Sequence, residues 1–216
     1  MPDLSKSIEH TLLKPDCSSK DVKRMVEEAQ KHGFAAVCIP PFFCRDARRM
    51  LGEDSPIRLV TVAGFPMGYS SIAAKSEEIK RAVDEGADDI DAVANLAAVK
   101  SGNWSHVSND IESMVRATHL RGRQFKLILE CGLLTDDEIR QLCQFAKEFG
   151  AGYVKTGTGF HGHPATPQMV QNLRKLAPQG LKIKAAGGIR TRAQAETLLQ
   201  AGADRIGTSA SLDIIK

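Results

Sequence analysis

Four charged residues lie within short apolar segments of the type that forms buried strands. They are Asp91 in DIDAVAN, Glu130 in LILE, Lys155 in YVKTGTG and Lys184 in IKAAGG. An unpaired charge in a packed interior is costly, so each of these side chains requires either a partner or a chemical role. Two acids and two bases that meet at one end of a fold would neutralise one another.

The two lysines indicate covalent chemistry on a carbonyl compound. A lysine attacks a carbonyl carbon only as the neutral amine, which requires burial or a neighbouring cation. Lys184 follows Lys155 by about one strand–helix unit, so the two amines are expected on neighbouring strands. The pattern predicts class I, Schiff-base chemistry, with Lys155 as the nucleophile and Lys184 favouring its neutral form. Asp91 is then the candidate for moving protons, and Glu130 for orienting a lysine or a water.

Structural alternatives remain for both lysines. Lys155 is also consistent with a strand-end lysine whose ammonium extends to solvent. Lys184 is also consistent with half of a structural ion pair with one of the two acids, since such networks perturb titration as well. Lys182 shares the strand face of Lys184 but comes earlier in the strand, so we expect it to be solvated. Asp89 is likewise expected to mark a strand entry.

The chain alternates between helical and strand-like segments. Apolar residues at three- and four-residue spacing predict helices in SSKDVKRMVEEAQKHG, SEEIKRAVDEG, DDEIRQLCQFAKEFG and TRAQAETLLQAG. Short apolar runs predict strands in SIEHTLL, AAVCI, RLVTVAG, DIDAVA, FKLILE, YVKTG, IKAAGG and DRIGTS. Each of these eight strands is followed by a helix, the last being the short SLDIIK. The sequence therefore predicts an α/β fold, a single (β/α)8 TIM barrel over residues 1–216. An open doubly wound sheet is disfavoured because no G-x-G-x-x-G turn follows the first strand.

Two glycine-rich loops follow the seventh and eighth predicted strands, where barrels usually bind phosphate. In AAGGIRTRAQAE, Gly187 and Gly188 allow a ligand to approach the backbone, and a helix begins near Thr191 with its amides expected to be free. In GTSASLDIIK, the segment from Gly207 to Ser209 precedes the final helix. Both loops together predict a phosphate pocket, although tight turns without a ligand remain an alternative.

Composition excludes several other classes of function. The net charge of +3 is small and the basic residues form no run, so nucleic acid is not an expected partner. Five separated cysteines predict a reduced, cytoplasmic protein, and no apolar stretch approaches the length of a membrane span. His161 and His163 lack a third ligand nearby in sequence, so a loop that closes over substrate is favoured over a metal centre. Neither a metal nor a cofactor is predicted.

These motifs resemble those of the deoxyribose-phosphate aldolases over essentially the whole chain. The similar segments are VCIPPFF, TVAGFPMG, EGADDIDAVANLAAVKSG, LILECGLLTDDEI, YVKTGTGF, KIKAAGGIRT and DRIGTSAS. The resemblance implies a lyase of carbohydrate and deoxyribonucleotide catabolism that reversibly cleaves 2-deoxy-D-ribose 5-phosphate to D-glyceraldehyde 3-phosphate and acetaldehyde. It implies that Lys155 forms the imine, Lys184 keeps that amine neutral and Asp91 relays protons. It also implies a phosphate pocket lined by Gly159, Gly187, Gly188, Arg190, Gly207 and Ser209.

The chain departs from the family's usual residues at five positions. The family usually has Asp at Glu9 and Ser at Gly157; it often has Asn at Pro40 and Gly at Ala97, and commonly Ser at Ala210. Glu9 and Pro40 are expected to alter recognition of the sugar hydroxyls. Ala210 removes one possible hydrogen-bond donor to the phosphate. A related Schiff-base aldolase with another acceptor aldehyde, and a phosphometabolite-binding barrel without catalysis, are therefore the alternative functions. A homo-oligomer is left open.

Overall fold

Apolar and β-branched segments form eight short parallel strands in the computed structural model, which describes residues 3–216. Strand β8 pairs with β1, placing Ile8 beside Ile206, so the sheet closes on itself in the order β1 to β8. The predicted (β/α)8 TIM barrel is confirmed, and the open-sheet alternative is excluded. The strands are β1 (Ile8–Thr11), β2 (Ala36–Cys38), β3 (Arg58–Ala63), β4 (Asp89–Val93), β5 (Gln124–Ile128), β6 (Tyr153–Lys155), β7 (Lys182–Ala186) and β8 (Arg205–Thr208).

Nine helices surround the barrel within residues 3–216, and their ends follow local capping chemistry. The first helix begins after Ser18, whose side chain forms a reciprocal capping box with Asp21, and it ends at Gly33 in the left-handed conformation. The third begins at Ile72 and not near the predicted Ser76, because the earlier Ser71 caps it. The helices are α1 (Ser19–His32), α2 (Cys44–Leu51), α3 (Ile72–Asp84), α4 (Leu96–Lys100), α5 (Trp104–His119), α6 (Asp136–Phe149), α7 (Pro167–Leu176), α8 (Arg192–Gln200) and α9 (Ser211–Ile215). None of them combines the length and the apolar composition that a membrane crossing requires.

The two faces of the barrel differ in chemistry. Because side chains alternate along a strand, residues such as Ile90 and Leu127 point outward and pack beneath the helices in the main apolar core. Inside the barrel, an apolar cluster is confined to β2 and β3, where it contains Ala36, Cys38, Val60 and Val62. The remaining interior wall carries charged side chains, and it is this half of the barrel that positions the candidate site.

A second buried ion pair lies outside the barrel, between α3 and α5. Lys75 Nζ donates to Asp110 Oδ2 at 2.6 Å and to the carbonyl oxygen of Val93 at 3.0 Å. Burial lowers the pKa of Lys75 and raises the pKa of Asp110, and the attraction between them offsets this only in part. This pair was not predictable from the sequence, since a lysine on an amphipathic helix normally faces solvent.

Candidate active site

The register of neighbouring strands brings the predicted charged residues together. Lys155 on β6 lies beside Lys184 on β7, and Asp91 on β4 lies beside Lys126 on β5. All four side chains are buried. The expected proximity of Asp91, Lys155 and Lys184 is therefore present in the structure.

A single carboxylate oxygen joins the two lysines of the predicted chemistry. Asp91 Oδ2 accepts hydrogen bonds from Lys155 Nζ at 3.1 Å and from Lys184 Nζ at 2.7 Å. Lys184 Nζ also donates to Glu9 Oε2. Lys155 is 2% exposed, which leaves its amine reachable from one side, whereas Asp91 and Lys184 are fully enclosed. A proton therefore has a direct route between the two amines through Asp91.

The electrostatics of this group fix the charge on two of its members. Burial alone would raise the pKa of Asp91, but the nearby lysines, Lys126 first and then Lys184 and Lys155, more than offset it and hold that pKa well below its usual range. Burial alone would lower the pKa of Lys184, but Asp91 and Glu9 hold it above its ordinary value. At neutral pH, Asp91 is consequently a carboxylate and Lys184 an ammonium.

A cavity of about 230 Å³ opens at the carboxyl ends of the strands, directly above Lys155. Among the described residues that line it are all six of the predicted phosphate-pocket positions, Gly159, Gly187, Gly188, Arg190, Gly207 and Ser209. Asp91 and Lys184 are not part of its lining: Asp91 contacts the lining residue Lys155, and Lys184 lies beneath the lining residue Gly207. The cavity therefore combines a reactive-amine candidate at its base with glycine-rich loops at its rim.

Backbone amides at this rim are available to an anion. Within the described chain, no protein acceptor takes the amide hydrogens of Gly159, Gly187, Gly188 or Ser209. The first three have positive φ angles, between 71° and 110°, which L side chains rarely adopt, and all four residues line the cavity. Uncharged donors of this kind suit a phosphate group.

The amides at the start of α8 differ from the prediction. The amides of Arg190 and Thr191 donate to Gln194 Oε1, at 2.8 and 3.1 Å, in a capping box that leaves neither of them free. The expectation of free amides near Thr191 is therefore wrong, because the helix satisfies them itself. The side chain of Arg190 still contributes to the cavity wall.

Glu130 holds a loop beside the cavity, and its partners do not include a lysine. It has a left-handed backbone conformation with φ of 60°, and its Oε2 accepts from Thr158 N at 2.9 Å and Thr158 Oγ1 at 2.6 Å. His161 Nδ1 lies 3.1 Å from the same oxygen. An ideal Cβ at Gly157 would lie 2.5 Å from Glu130 Oε1, so the carboxylate occupies the space that a serine there would need.

The histidine loop is tied to this carboxylate and not to a ligand set. His161 is oriented by Glu130 and also lies 3.4 Å from the sulfur of Met67. Across residues 3–216, no group of three His, Cys, Asp or Glu side chains is arranged to hold a metal ion. The His163 side chain instead packs against Gly132, where an ideal Cβ would lie only 2.4 Å from the His163 Cγ.

The sequence prediction missed one buried charged residue, Lys126, and expected two others, Asp89 and Glu9, at different positions. Lys126, within FKLILE, is 1% exposed and bonds to Asp89 at 2.6 Å and Asp91 at 3.1 Å. Asp89, expected as a strand entry, is buried against Lys126 and Arg58. Glu9, expected near the sugar hydroxyls, lies inside the barrel against Lys184. Side chains alternate between the two faces of a strand, so in FKLILE the outward Phe125 and Leu127 place Lys126 on the inner face of the barrel. This alternation is the sequence signal that could have predicted its position.

Comparison with known proteins assigns the chain to a family. The model of the DeoC/LacD family aldolases matches residues 7–216. The chain belongs to this aldolase family. It is 41% identical over 213 residues to the deoxyribose-phosphate aldolase of Clostridium botulinum (strain Okra / Type B1), covering 99% of both chains. It is 40% identical to the deoxyribose-phosphate aldolase of Thermococcus gammatolerans, covering 99% of this chain and 96% of the relative.

A solved structure of the same family has the same architecture. The deoxyribose phosphate aldolase of Aeropyrum pernix, described as tetrameric, superimposes with a TM-score of 0.92 at 32% identity. The match covers 100% of this chain and 91% of the other. The family resemblance and the barrel expected from the sequence are thus both confirmed.

Proposed function

We propose that this chain reversibly cleaves 2-deoxy-D-ribose 5-phosphate to D-glyceraldehyde 3-phosphate and acetaldehyde through an imine on Lys155. The observation that carries the proposal is the placement of Lys155 at the base of a cavity whose rim consists of glycine-rich loops. Family membership and relatives named deoxyribose-phosphate aldolases support the same substrate. The reaction is that of an aldehyde-lyase and requires no cofactor, since the imine itself accepts the electron pair.

The substrate binds with its phosphate at the rim and its aldehyde toward the base. The amides of Gly187, Gly188 and Ser209 donate to the phosphate oxygens, and the guanidinium of Arg190 supplies positive charge. Gly159 lies beside Gly187 in the cavity wall: an ideal Cβ on Gly159 would be in van der Waals contact with the Gly187 Cα at 3.6 Å, and its φ of 83° disfavours any larger residue. Gly207 completes the wall above Lys184.

The chemistry begins with attack of the neutral Lys155 amine on C1 of the open-chain sugar. Loss of water from the carbinolamine gives an iminium ion. The C2–C3 bond then breaks, its electron pair moves into the iminium to form an enamine, and the C3 hydroxyl passes its proton to the Lys184 amine, which became neutral when it protonated the departing water, to leave an aldehyde. Protonation of C2 regenerates an iminium, and water releases acetaldehyde from Lys155.

Asp91 and Lys184 move the protons in this scheme. A carboxylate with a strongly lowered pKa is a poor proton source, so the donor is the Lys184 ammonium, and Asp91 Oδ2 conveys the proton toward Lys155. Both groups act from beneath the imine, because neither lines the cavity. Their roles as catalytic residues are part of the proposal.

Domain organisation, location in the cell and assembly are also part of the proposal. We propose one domain over residues 1–216 that works in the cytoplasm as a homo-oligomer, as the tetrameric relative suggests by analogy. Small molecules, a sugar phosphate and acetaldehyde, are its partners. Glu9 is buried and paired with Lys184, away from the cavity. Its difference from the family's usual Asp therefore does not argue for another acceptor aldehyde.

Trapping with acetaldehyde and borohydride tests the proposed function. Reduction of the imine should give an adduct that peptide mapping places on Lys155, and Lys155→Ala should abolish both the adduct and cleavage of 2-deoxyribose 5-phosphate. Lys182→Leu, two residues before Lys184 and exposed, is the control and should retain both. An adduct found only on another lysine would overturn the assignment.

A further inference from the structure

The charged half of the barrel interior forms one connected series of ion pairs. It begins at Lys155 beneath the cavity and ends at the opposite, amino-terminal mouth, where Arg58 pairs with Asp89 and is half-exposed. Each member contacts the next through a hydrogen bond or ion pair. We call this set the interior charge ladder, and its members are Lys155, Asp91, Lys184, Glu9, Lys126, Asp89 and Arg58.

Lys126 is the point at which the ladder's carboxylates meet. Its Nζ lies 2.6 Å from Asp89 Oδ2, 3.1 Å from Asp91 Oδ1 and 3.6 Å from Glu9 Oε1. Burial lowers the pKa of Lys126, but these carboxylates hold it well above its ordinary value, so it is an ammonium. It does not line the cavity, and its Nζ lies over the ring of Tyr153, 5.8 Å from the ring centre.

The balance of charge in the ladder singles out one lysine. Three carboxylates face four cations, and each carboxylate has a partner other than Lys155. These partners are Lys126, Lys184 and Arg58. Lys155 is therefore the excess cation, held by one bond to an oxygen that Lys184 already occupies at a shorter distance. Loss of its proton leaves the ladder neutral.

Cys38 and Lys182 do not alter this balance, and at the amino-terminal mouth Asp88 and Arg205 carry one charge of each sign. Cys38 on β2 faces the same region, and burial raises the pKa of its thiol, so it remains uncharged. Lys182 on β7 lies over the outer side of the Tyr153 ring, 5.5 Å from its centre, and is exposed to solvent.

We propose that Lys126 and Glu9 are positioning residues which, through Asp91 and Lys184, determine that Lys155 is the lysine that reacts as a free amine. This inference rests on the proposed function, in which Lys155 forms the imine. Neither residue touches substrate. Lys126 neutralises carboxylate charge that would otherwise favour a proton on Lys155, whereas Glu9 supplies negative charge that offsets the cations around it, while Asp91 still holds Lys184 as an ammonium.

Removing Lys126 and removing Glu9 should change the charge around Lys155 in opposite directions. Lys126→Met leaves Asp91 Oδ1 without its cation, so the ammonium form of Lys155 is favoured and the free amine appears only at higher pH. Glu9→Gln removes a negative charge, so the free amine appears at lower pH. The measured quantity is the acidic limb, the part of the pH–rate profile where kcat/KM rises as Lys155 loses its proton. Because both effects pass through an intervening group, we expect this limb to move by about one pH unit in each variant, the lower end of the range for close charges. That shift equals about a tenfold change in rate at a fixed pH on the limb.

The test is the pH dependence of kcat/KM between about pH 5 and 9 for the full-length protein. The limb should move up for Lys126→Met, down for Glu9→Gln and back toward wild type in the double variant, while Glu9→Asp should stay near wild type. Lys75→Met is the matched control, because Lys75 is equally buried and ion-paired but lies outside the barrel. It should lower stability and leave the limb unmoved.

The outcomes separate this inference from the proposed function. If wild-type protein gives a borohydride adduct on Lys155 but both single variants lose activity with an unmoved limb, Lys126 and Glu9 are merely structural and the inference is rejected. If Lys126→Met does not fold, Glu9→Gln alone decides, and a limb that stays or rises rejects it. An adduct on a different lysine rejects the proposed function, and the inference with it.

Discussion

Replacing Lys184 by leucine should move the active pH range upward by about two units. The amines of Lys155 and Lys184 lie 3.1 and 2.7 Å from the same oxygen of Asp91, so they are within about 5.8 Å of each other. Two like charges at that separation repel by about 3 kcal/mol at an effective dielectric constant of about 20. This equals about two pH units, and therefore about a hundredfold less free amine near pH 7.

Two features of the structure set bounds on this effect. With Lys184 absent, Asp91 Oδ2 bonds to Lys155 alone, which favours the ammonium further and adds to the shift. Burial of Lys155 opposes it, because a desolvated ammonium stays unfavourable even without its neighbour. A displacement of one to three units is accordingly in agreement with the geometry.

The assay combines pH–rate profiles with borohydride trapping at several pH values. Lys184→Leu should still form the Lys155 adduct, but mainly at higher pH, whereas Lys155→Ala should form none. Lys182→Leu, on the same strand and face but exposed, should keep the wild-type profile. A profile displaced to lower pH, or a wild-type adduct that maps to Lys184, would show that the roles of the two lysines are reversed.

Three further outcomes follow from features away from the lysine pair. Gly188→Val, at a positive φ of 71° in the cavity wall, should raise KM for the phosphorylated sugar and leave activity on the unphosphorylated sugar nearly unchanged; equal losses would argue against a phosphate site. Lys75→Met should lower the free energy of unfolding by about 3–5 kcal/mol in urea titrations, and adding Asp110→Leu should recover most of it, because burial disfavours both charges. The free energy of unfolding should fall below about pH 4, since the lowered pKa of Asp91 contributes stability that is lost on acidification; a profile that stays flat between about pH 4 and about pH 3 would contradict this.

The fold and the outline of the site were predictable because their signals are periodic or anomalous. Strict alternation of helical and strand patterns required parallel strands, and eight units required closure. Asp91, Lys155 and Lys184 stood out because charges inside apolar strands have few structural uses. Their mutual contacts then followed from strand order alone, since the ends of neighbouring parallel strands share one edge.

The missed features depend on register or on competition for hydrogen bonds. Lys126 was overlooked because one lysine near a strand entry is compatible with solvent, and only the pairing of β4 with β5 places it beside Asp91. The amides of Arg190 and Thr191 were expected to be free, although the T-x-x-Q spacing to Gln194 already indicates a capping box. The partners of Glu130 lie in a loop whose path the strand pattern does not encode.

The ion pairs inside the barrel join strands that are far apart in sequence, and this has a consequence for how the chain folds. Glu9 comes from the first strand, whereas its partners Lys126 and Lys184 come from the fifth and seventh, 175 residues distant in the second case. No contiguous fragment short of nearly the whole chain can satisfy these charges, so a half-barrel retains unpaired ammonium and carboxylate groups that water must solvate. Incomplete barrels are thereby destabilised relative to the closed one, and the same residues that govern reactivity make closure cooperative.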